Sequence, residues 1–502
     1  MYSSFASTFK ESYELSSPYT SLHDNYVPKK PRMSGLKTLL LATGCLTVLG
    51  CLLAIALIEV MKNEENIHKA LNISTTHQPD LHAEESDQCR IVLVESIPLW
   101  MDYGANASFG VPLYKAWKDL LSTASKQIDM ASFYWTLTGE DIGAKSVTDQ
   151  FGRDILEQLK ALPKRNVSVR AVSSIPSVSS NSTDLDILRE NGVHVRRINF
   201  GKLTRGILHS KFWIVDNRHI YIGSANMDWR ALTQVKELGV VIYNCTSLAT
   251  DLYKIYQSYW VMGHSNATIP DPWPSFYDTS INKDQPLHLN LSDVPSRVYI
   301  SNSPPAFCPE SRTKDLDAIL SVIGQAGQFI HVAVMEYFPA FKFNYHKYWP
   351  VIENALIQAA LDRNVTVRLM ISCGRDTDPS IFPFLKSINS LNSPPDNIRI
   401  EVRLYIVPVG NETNIPYTRV NHNKYMVTDN VAYIGTSNWS ADYFNTTAGV
   451  GLVVSQDLSH SPSPGDTLVG QLSAVFERDW DSKFAVPLEK LGHNPDCIFS
   501  KA

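Results

Sequence analysis

From Cys89 onward the chain repeats itself. One copy reads SKQIDMASFYW, KRNVSVRAVSS, GVHVRRINF, LHSKFWIVDNRHIYIGSANMDW and ELGVVIYN; a second, in the same order, reads GQFIHVAVMEYF, DRNVTVRLMIS, IRIEVRLYIV, VNHNKYMVTDNVAYIGTSNWS and AGVGLVVS. A duplicated order constrains the fold more than any local propensity, because both copies must build the same supersecondary unit. Each piece is a β-branched or aromatic run of strand length. The stretches between them, YKAWKDLLSTA, FGRDILEQLKAL, LDAILSVIGQA and YWPVIENALIQAALD, carry apolar residues at helical spacing. The expected fold class is therefore α/β: two homologous halves, each a mixed β-sheet flanked by helices, joined about a pseudo-dyad. Pro-rich DPWPSFYDTSINKDQP marks the boundary, giving a first half at 89–270, a linker at 271–290 and a second half at 291–502.

The N-terminal region is of another kind. Thr38 to Ile58 contains no charged residue and, at about 21 residues, is long enough to cross a hydrocarbon core of roughly 30 Å. It begins too far from the N-terminus for a cleaved signal peptide, and no small-residue cleavage site precedes Glu59. Lys29, Lys30, Arg32 and Lys37 lie before the span, whereas acidic residues dominate after it (Glu59, Glu64, Glu65, with Lys62). The positive-inside rule then predicts a type II membrane anchor, with residues 1–37 a disordered cytosolic tail and 59–88 a luminal stalk. In the tail, Tyr19-Thr-Ser-Leu22 has the spacing read by sorting adaptors. A luminal location fits the N-x-S/T sequons at Asn72, Asn106, Asn166, Asn181, Asn244, Asn266, Asn290, Asn364, Asn411 and Asn445. Asn438 also heads a sequon, but it belongs to the chemistry below. Of seven cysteines, Cys45 and Cys51 fall in the span, so an odd number, Cys89, Cys245, Cys308, Cys373 and Cys497, faces an oxidising lumen.

A formal charge of −5 over 502 residues provides no field for holding duplex nucleic acid through many phosphates, so an anionic substrate must be gripped locally. Acid helps: protonating all 14 histidines would move the formal charge from −5 to +9.

The chemistry sits at equivalent places in the repeats. The first copy supplies His209-Ser-Lys211, then Asp216, then Gly223-Ser224-Ala-Asn226. The second supplies His422-Asn-Lys424, then Asp429, then Gly435-Thr436-Ser-Asn438. Alternation along a strand would place each His and Lys on one face, a base beside a fixed cation. One such pair is commonly coincidence; two at matching repeat positions are not.

These residues resemble the phospholipase D superfamily, whose HxKx4Dx6GSxN motif is intact in the first half. In the second, five residues instead of six separate Asp429 from Gly435, and Thr436 replaces Ser. Together with the anchor, GSANMDWRALTQVKELGVV, NHNKYMVTDN and GTSNWS resemble the endolysosomal branch numbered three and four. The resemblance implies phospholipase-D-type halves and 5′→3′ exonuclease activity on single-stranded DNA and RNA in endosomes and lysosomes, with turnover of lysosomal phospholipid as the alternative. It also implies a homodimer and proteolytic release from the stalk.

On this reading one phosphorus lies between the halves, with His209 as nucleophile and His422 as general acid, in an assignment open to exchange. Lys211, Lys424, Asn226 and Asn438 would stabilise the phosphoryl oxygens, and no metal or other cofactor is expected. Ser224 and Thr436 would support the site. Asp216 and Asp429 are counted with the catalytic groups, although a structural role is at least as natural for them. Glu237 is a candidate orienter of one histidine, and the repeat puts Thr447 opposite it. Tyr134, Trp135, Glu336 and Tyr337 end equivalent strands, where core packing outweighs a base-stacking groove. Connectivity of the cysteines is open from sequence alone; the resemblance favours Cys89 with Cys245 and Cys373 with Cys497, leaving Cys308 free.

Overall fold

Both halves are sheets because their apolar residues come in short β-branched runs bounded by turn formers. The first sheet orders its eight strands as Val111–Pro112, Arg90–Ser96, Glu237–Tyr243, His219–Gly223, Phe212–Val215, Gln127–Ser132, Ser168–Ser174 and His194–Ile198. The second orders nine as Leu287–Leu291, Val294–Ser303, Gly449–Gln456, Val431–Gly435, Lys424–Thr428, Phe329–Val334, Thr366–Ser372, Ile400–Tyr405 and Ala485–Pro487. Seven consecutive strands correspond one to one, so the duplication in sequence is a duplication in space. The computed structural model describes residues 87–498 apart from 106, 145, 176–181, 344–346, 458–462 and 491–493. The tail, the apolar span, the stalk through residue 86 and the sequons at Asn72, Asn106 and Asn181 lie outside the described residues.

Each sheet is mixed. Gln127–Ser132 runs parallel to Ser168–Ser174 but antiparallel to Phe212–Val215, and Phe329–Val334 stands likewise between its neighbours. The four helix-period stretches form Leu113–Ser122, Gln150–Ala161, Asp315–Gln325 and Val351–Arg363. Where the sheets meet, the halves share one apolar core that includes Leu208, Phe212, Ile300, Tyr425, Ala448 and Val450.

The exchange between halves is reciprocal. Helix Thr246–Met262 packs on Val294–Ser303, and helix Leu468–Trp480 packs on Arg90–Ser96. Buried ion pairs fasten both contacts: Asp251 receives two 2.8 Å bonds from Arg312, and Glu95 receives two from Arg478. Leu287 already pairs with Val298 in the second sheet. The second half therefore begins inside the stretch assigned to the linker.

Cys89 is bonded to Cys245 and Cys373 to Cys497, one staple per half, and Cys308 is a buried free thiol. Asn166, Asn266, Asn290, Asn364, Asn411 and Asn445 are exposed and Asn244 is partly so, whereas Asn438 is buried.

Candidate active site

Neither histidine lies in its sheet. The strands begin at Phe212 and Lys424, so His209 and His422 occupy extended lead-ins, not the strand positions expected from alternation. The reason is where their backbone hydrogen bonds go. The His209 amide donates to Ala448 O of the second half at 3.0 Å, and Ala448 N donates back to Ile207 O at 2.9 Å. Reciprocally, the His422 amide donates to Lys236 O at 2.8 Å and Lys236 N to Val420 O at 3.0 Å. Each histidine is thus held by the half that does not contain it. Each lysine then folds back on its own histidine: Lys211 Nζ donates to His209 O and Lys424 Nζ to His422 O, both at 2.6 Å.

His209, Lys211, Lys424, Asn226 and Asn438 are all buried, and His422 keeps 13% of its side chain exposed. Burial, followed by the charges of Lys211, Lys424 and His422, holds the His209 pKa well below the usual range. Burial likewise depresses Lys211, further lowered by Lys424, and pushes Lys424 down to about 7. Four basic groups from two halves therefore form one electrostatic cluster, whose mutual repulsion an anion would relieve.

The Nδ1 partners differ. His209 Nδ1 meets the carbonyl oxygen of Thr436 at 2.9 Å. A carbonyl can only accept, so this nitrogen carries the proton and Nε2 keeps a lone pair. His422 Nδ1 meets both carboxylate oxygens of Glu237, at 3.0 and 2.9 Å, and Ser224 Oγ donates to the same carboxylate. Burial lowers the His422 pKa, and the Glu237 charge opposes that shift. Glu237 thus touches His422, and its counterpart in the second half is not Thr447. Gly239 pairs with Gly223 and Gly451 with Gly435, so Glu237 corresponds to Gly449. A Cβ there would collide with Ser437 Oγ and stand 2.9 Å from Ser303 Oγ, so the second half carries no carboxylate at this position.

The aspartates do not join the site. Asp216 accepts from Ser125 N, Lys126 N and Gln127 N at 2.8 Å and from Ser125 Oγ at 2.6 Å. Asp429 accepts from Gly327 N and Gln328 N at 3.0 and 3.1 Å. Both anchor the entry to a neighbouring strand, where free backbone N–H groups need an acceptor. Thr436 Oγ1 accepts from Val450 N at 3.0 Å, tying the motif turn to the sheet.

Trp135 and Tyr337 are core residues at 1% exposure. Tyr134 is half-buried and donates to Asp228 at 3.0 Å, while Glu336 is paired with Lys342. Sequence reasoning missed the rings that wall His209: Phe133, with centroid 5.5 Å away, and Tyr443, edge-on at 4.9 Å. Tyr443 lies five residues beyond Asn438, a position with no chemical signature of its own. Among the described residues, Asp87, Cys89 and Cys245 are grouped as metal ligands would be, but the two sulfurs are bonded to each other.

Two α/β halves that exchange anchors for an HxK pair define a protein of the phospholipase D superfamily. The chain belongs to the family described as PLD3/4, PLD-like domain, whose profile matches residues 104–410. It is 51% identical over 417 residues to human "5'-3' exonuclease PLD4", covering 83% of this chain and 82% of that one. With "5'-3' exonuclease PLD3" of Xenopus laevis it shares 49% identity, over 82% and 84% of the two chains. In fold it is similar to a phosphatidylserine synthase from Haemophilus influenzae, with a TM-score of 0.51 and 13% identity over 75% of this chain and 85% of that one.

Proposed function

We propose that this chain is a phosphodiesterase acting through a phosphohistidine, without metal or cofactor, that degrades single-stranded DNA and RNA from the 5′ end. The observation that carries this reading is the unequal pair of imidazoles among two buried lysines. His209, neutral and with Nε2 unprotonated, attacks phosphorus. The bond to the leaving 5′-oxygen breaks, and His422 gives that oxygen its Nε2 proton while the Glu237 carboxylate balances the imidazolium. Water then attacks the phosphorus and gives its proton to His422; the P–N bond breaks, His209 regains its lone pair and the phosphate leaves on the 3′-oxygen of the released nucleotide. Lys211 and Lys424, with the amides of Asn226 and Asn438, offset charge on the non-bridging oxygens. The relatives named as 5'-3' exonucleases support the polarity of degradation.

The setting we propose is the acid lumen of endosomes and lysosomes, reached through the endoplasmic reticulum and Golgi by a single-pass type II protein. It acts as a homodimer, with sorting adaptors at the cytosolic tail. The apolar span and the exposed sequons support a luminal domain. The test incubates purified full-length protein at acid pH, with chelator, with single-stranded oligonucleotides and separately with phosphatidylcholine or phosphatidylglycerol vesicles. Mononucleotides should be released from the oligonucleotides, and His209→Asn and His422→Asn should each abolish release. Turnover of lipid alone would replace nuclease by phospholipase.

A further inference from the structure

The segment that carries His422 includes one exposed aromatic residue, Tyr417, and is hydrogen-bonded to the loop that carries another, Trp100. Arg419, three residues before His422, donates its amide to Gln234 O at 3.0 Å, alongside the Lys236 bonds that hold the histidine. The Arg419 guanidinium donates to Leu99 O at 3.0 Å, so the loop bearing Trp100 is tied to the same segment. One residue from Tyr417, Pro416 O accepts from Arg230 at 2.7 Å. Trp100 is 83% exposed and Tyr417 40%, yet both hold positive φ, 71° and 55°. A bulky aromatic residue in that region is strained, and strain of this kind collects where a side chain must be presented to a ligand.

We propose that Trp100 and Tyr417 form a stacking rim for the nucleotides that leave on the His422 side of the scissile phosphate. The inference rests on the nuclease reading and deepens it. The general acid protonates the leaving oxygen, so the strand attached to that oxygen departs past the acid and along the segment that carries it. An aromatic face can hold that strand whatever the charge state of the surrounding chain, because it stacks on any base. Such a rim accepts both DNA and RNA and is indifferent to sequence.

The test uses full-length Trp100→Gly and Tyr417→Gly, since glycine accepts positive φ and keeps the fold intact. Thermal unfolding should be unchanged or shifted upward. On an oligonucleotide of about twenty residues, KM should rise roughly tenfold per ring with kcat preserved. On thymidine 3′-(p-nitrophenyl phosphate), which has no nucleotide beyond the leaving oxygen, both constants should match the wild type. Equal losses on both substrates, or none on either, overturn the rim. Loss of vesicle binding with an unchanged oligonucleotide KM also overturns it, in favour of a membrane contact. If the wild-type protein hydrolyses the ester but leaves oligonucleotides intact, the nuclease reading itself fails and the rim falls with it.

Discussion

Glu237 makes the two imidazoles chemically different, and the difference has a measurable sign. Its carboxylate raises the proton affinity of His422 against the lowering effect of burial. In Glu237→Gln the histidine would still be oriented but would lose that support. His422 must be protonated to serve as acid, and activity is lost above its pKa. The alkaline limb of the kcat/KM profile should therefore move to lower pH, with a fall of about 10²-fold at the optimum. An unmoved limb would remove Glu237 from the mechanism. Lys424 permits a second check. Burial pushes its pKa down to about 7, and a bound anion should raise it. Tungstate binding at pH 8 should take up at least one proton, through Lys424 and the likewise depressed Lys211, and at pH 5, where Lys424 is already charged, none through Lys424. Calorimetry in buffers of different ionisation enthalpy reads this number directly.

At the level of elements, the sequence shows the strands and helices clearly but not the register at the site. Each HxKx4D string announces a strand because its apolar run is β-branched and aromatic, yet nothing in it says that His209 and His422 seek backbone partners 3.0 and 2.8 Å away in the other half. The counterpart of Glu237 is hidden from the sequence for a related reason. Gly449 and Gly451 both match Gly239, and a shift of two residues leaves every side chain on the same face, so alternation could not choose between them. Only the pairing of Gly451 with Gly435 decides it. The motif aspartates were grouped with the catalytic residues because they recur beside them, whereas what they share is a strand entry to anchor. Asp216→Ala should therefore cost stability, on the order of 1–3 kcal/mol for its lost backbone bonds, while leaving kcat/KM of the folded protein nearly intact. Asp429→Ala should cost less, since Asp429 accepts two backbone bonds to the three of Asp216. Hydrogen bonding holds the Asp216 pKa below its ordinary value, so its contribution persists at pH 5 and fades only as pH falls through that lowered value. Chemical denaturation at pH 5 and at pH 7 should give the same penalty.

For the whole molecule, the charges buried within each half and between halves set how stability follows pH. The halves are bolted through Arg312 with Asp251, Arg478 with Glu95, and Lys236 with Asp479 at 2.9 Å, so they should unfold as one cooperative unit. Two other carboxyls act in the opposite sense to most acids in a fold. Burial raises Asp184, which accepts from the Leu137 amide and Thr138, to about 7. Burial likewise raises Asp315, which accepts from Ser301 and Tyr433, to about 6. A carboxyl with a raised folded pKa binds its proton more tightly in the native state. Its contribution is fully present below the unfolded value near 4 and is lost as pH rises through 6 and 7. Buried histidines act against them, His331 with its pKa pushed down to about 3 by burial and His209 held low likewise, so the effect of the two acids is read from the change on replacing them. Asn at both positions mimics the protonated acid, so Asp184→Asn with Asp315→Asn should raise the neutral melting temperature and flatten its pH dependence. Scanning fluorimetry of both proteins across pH 4.5–8 separates the outcomes: a double variant whose melting temperature follows pH with the wild-type slope would show that these acids do not tune the fold to an acid compartment.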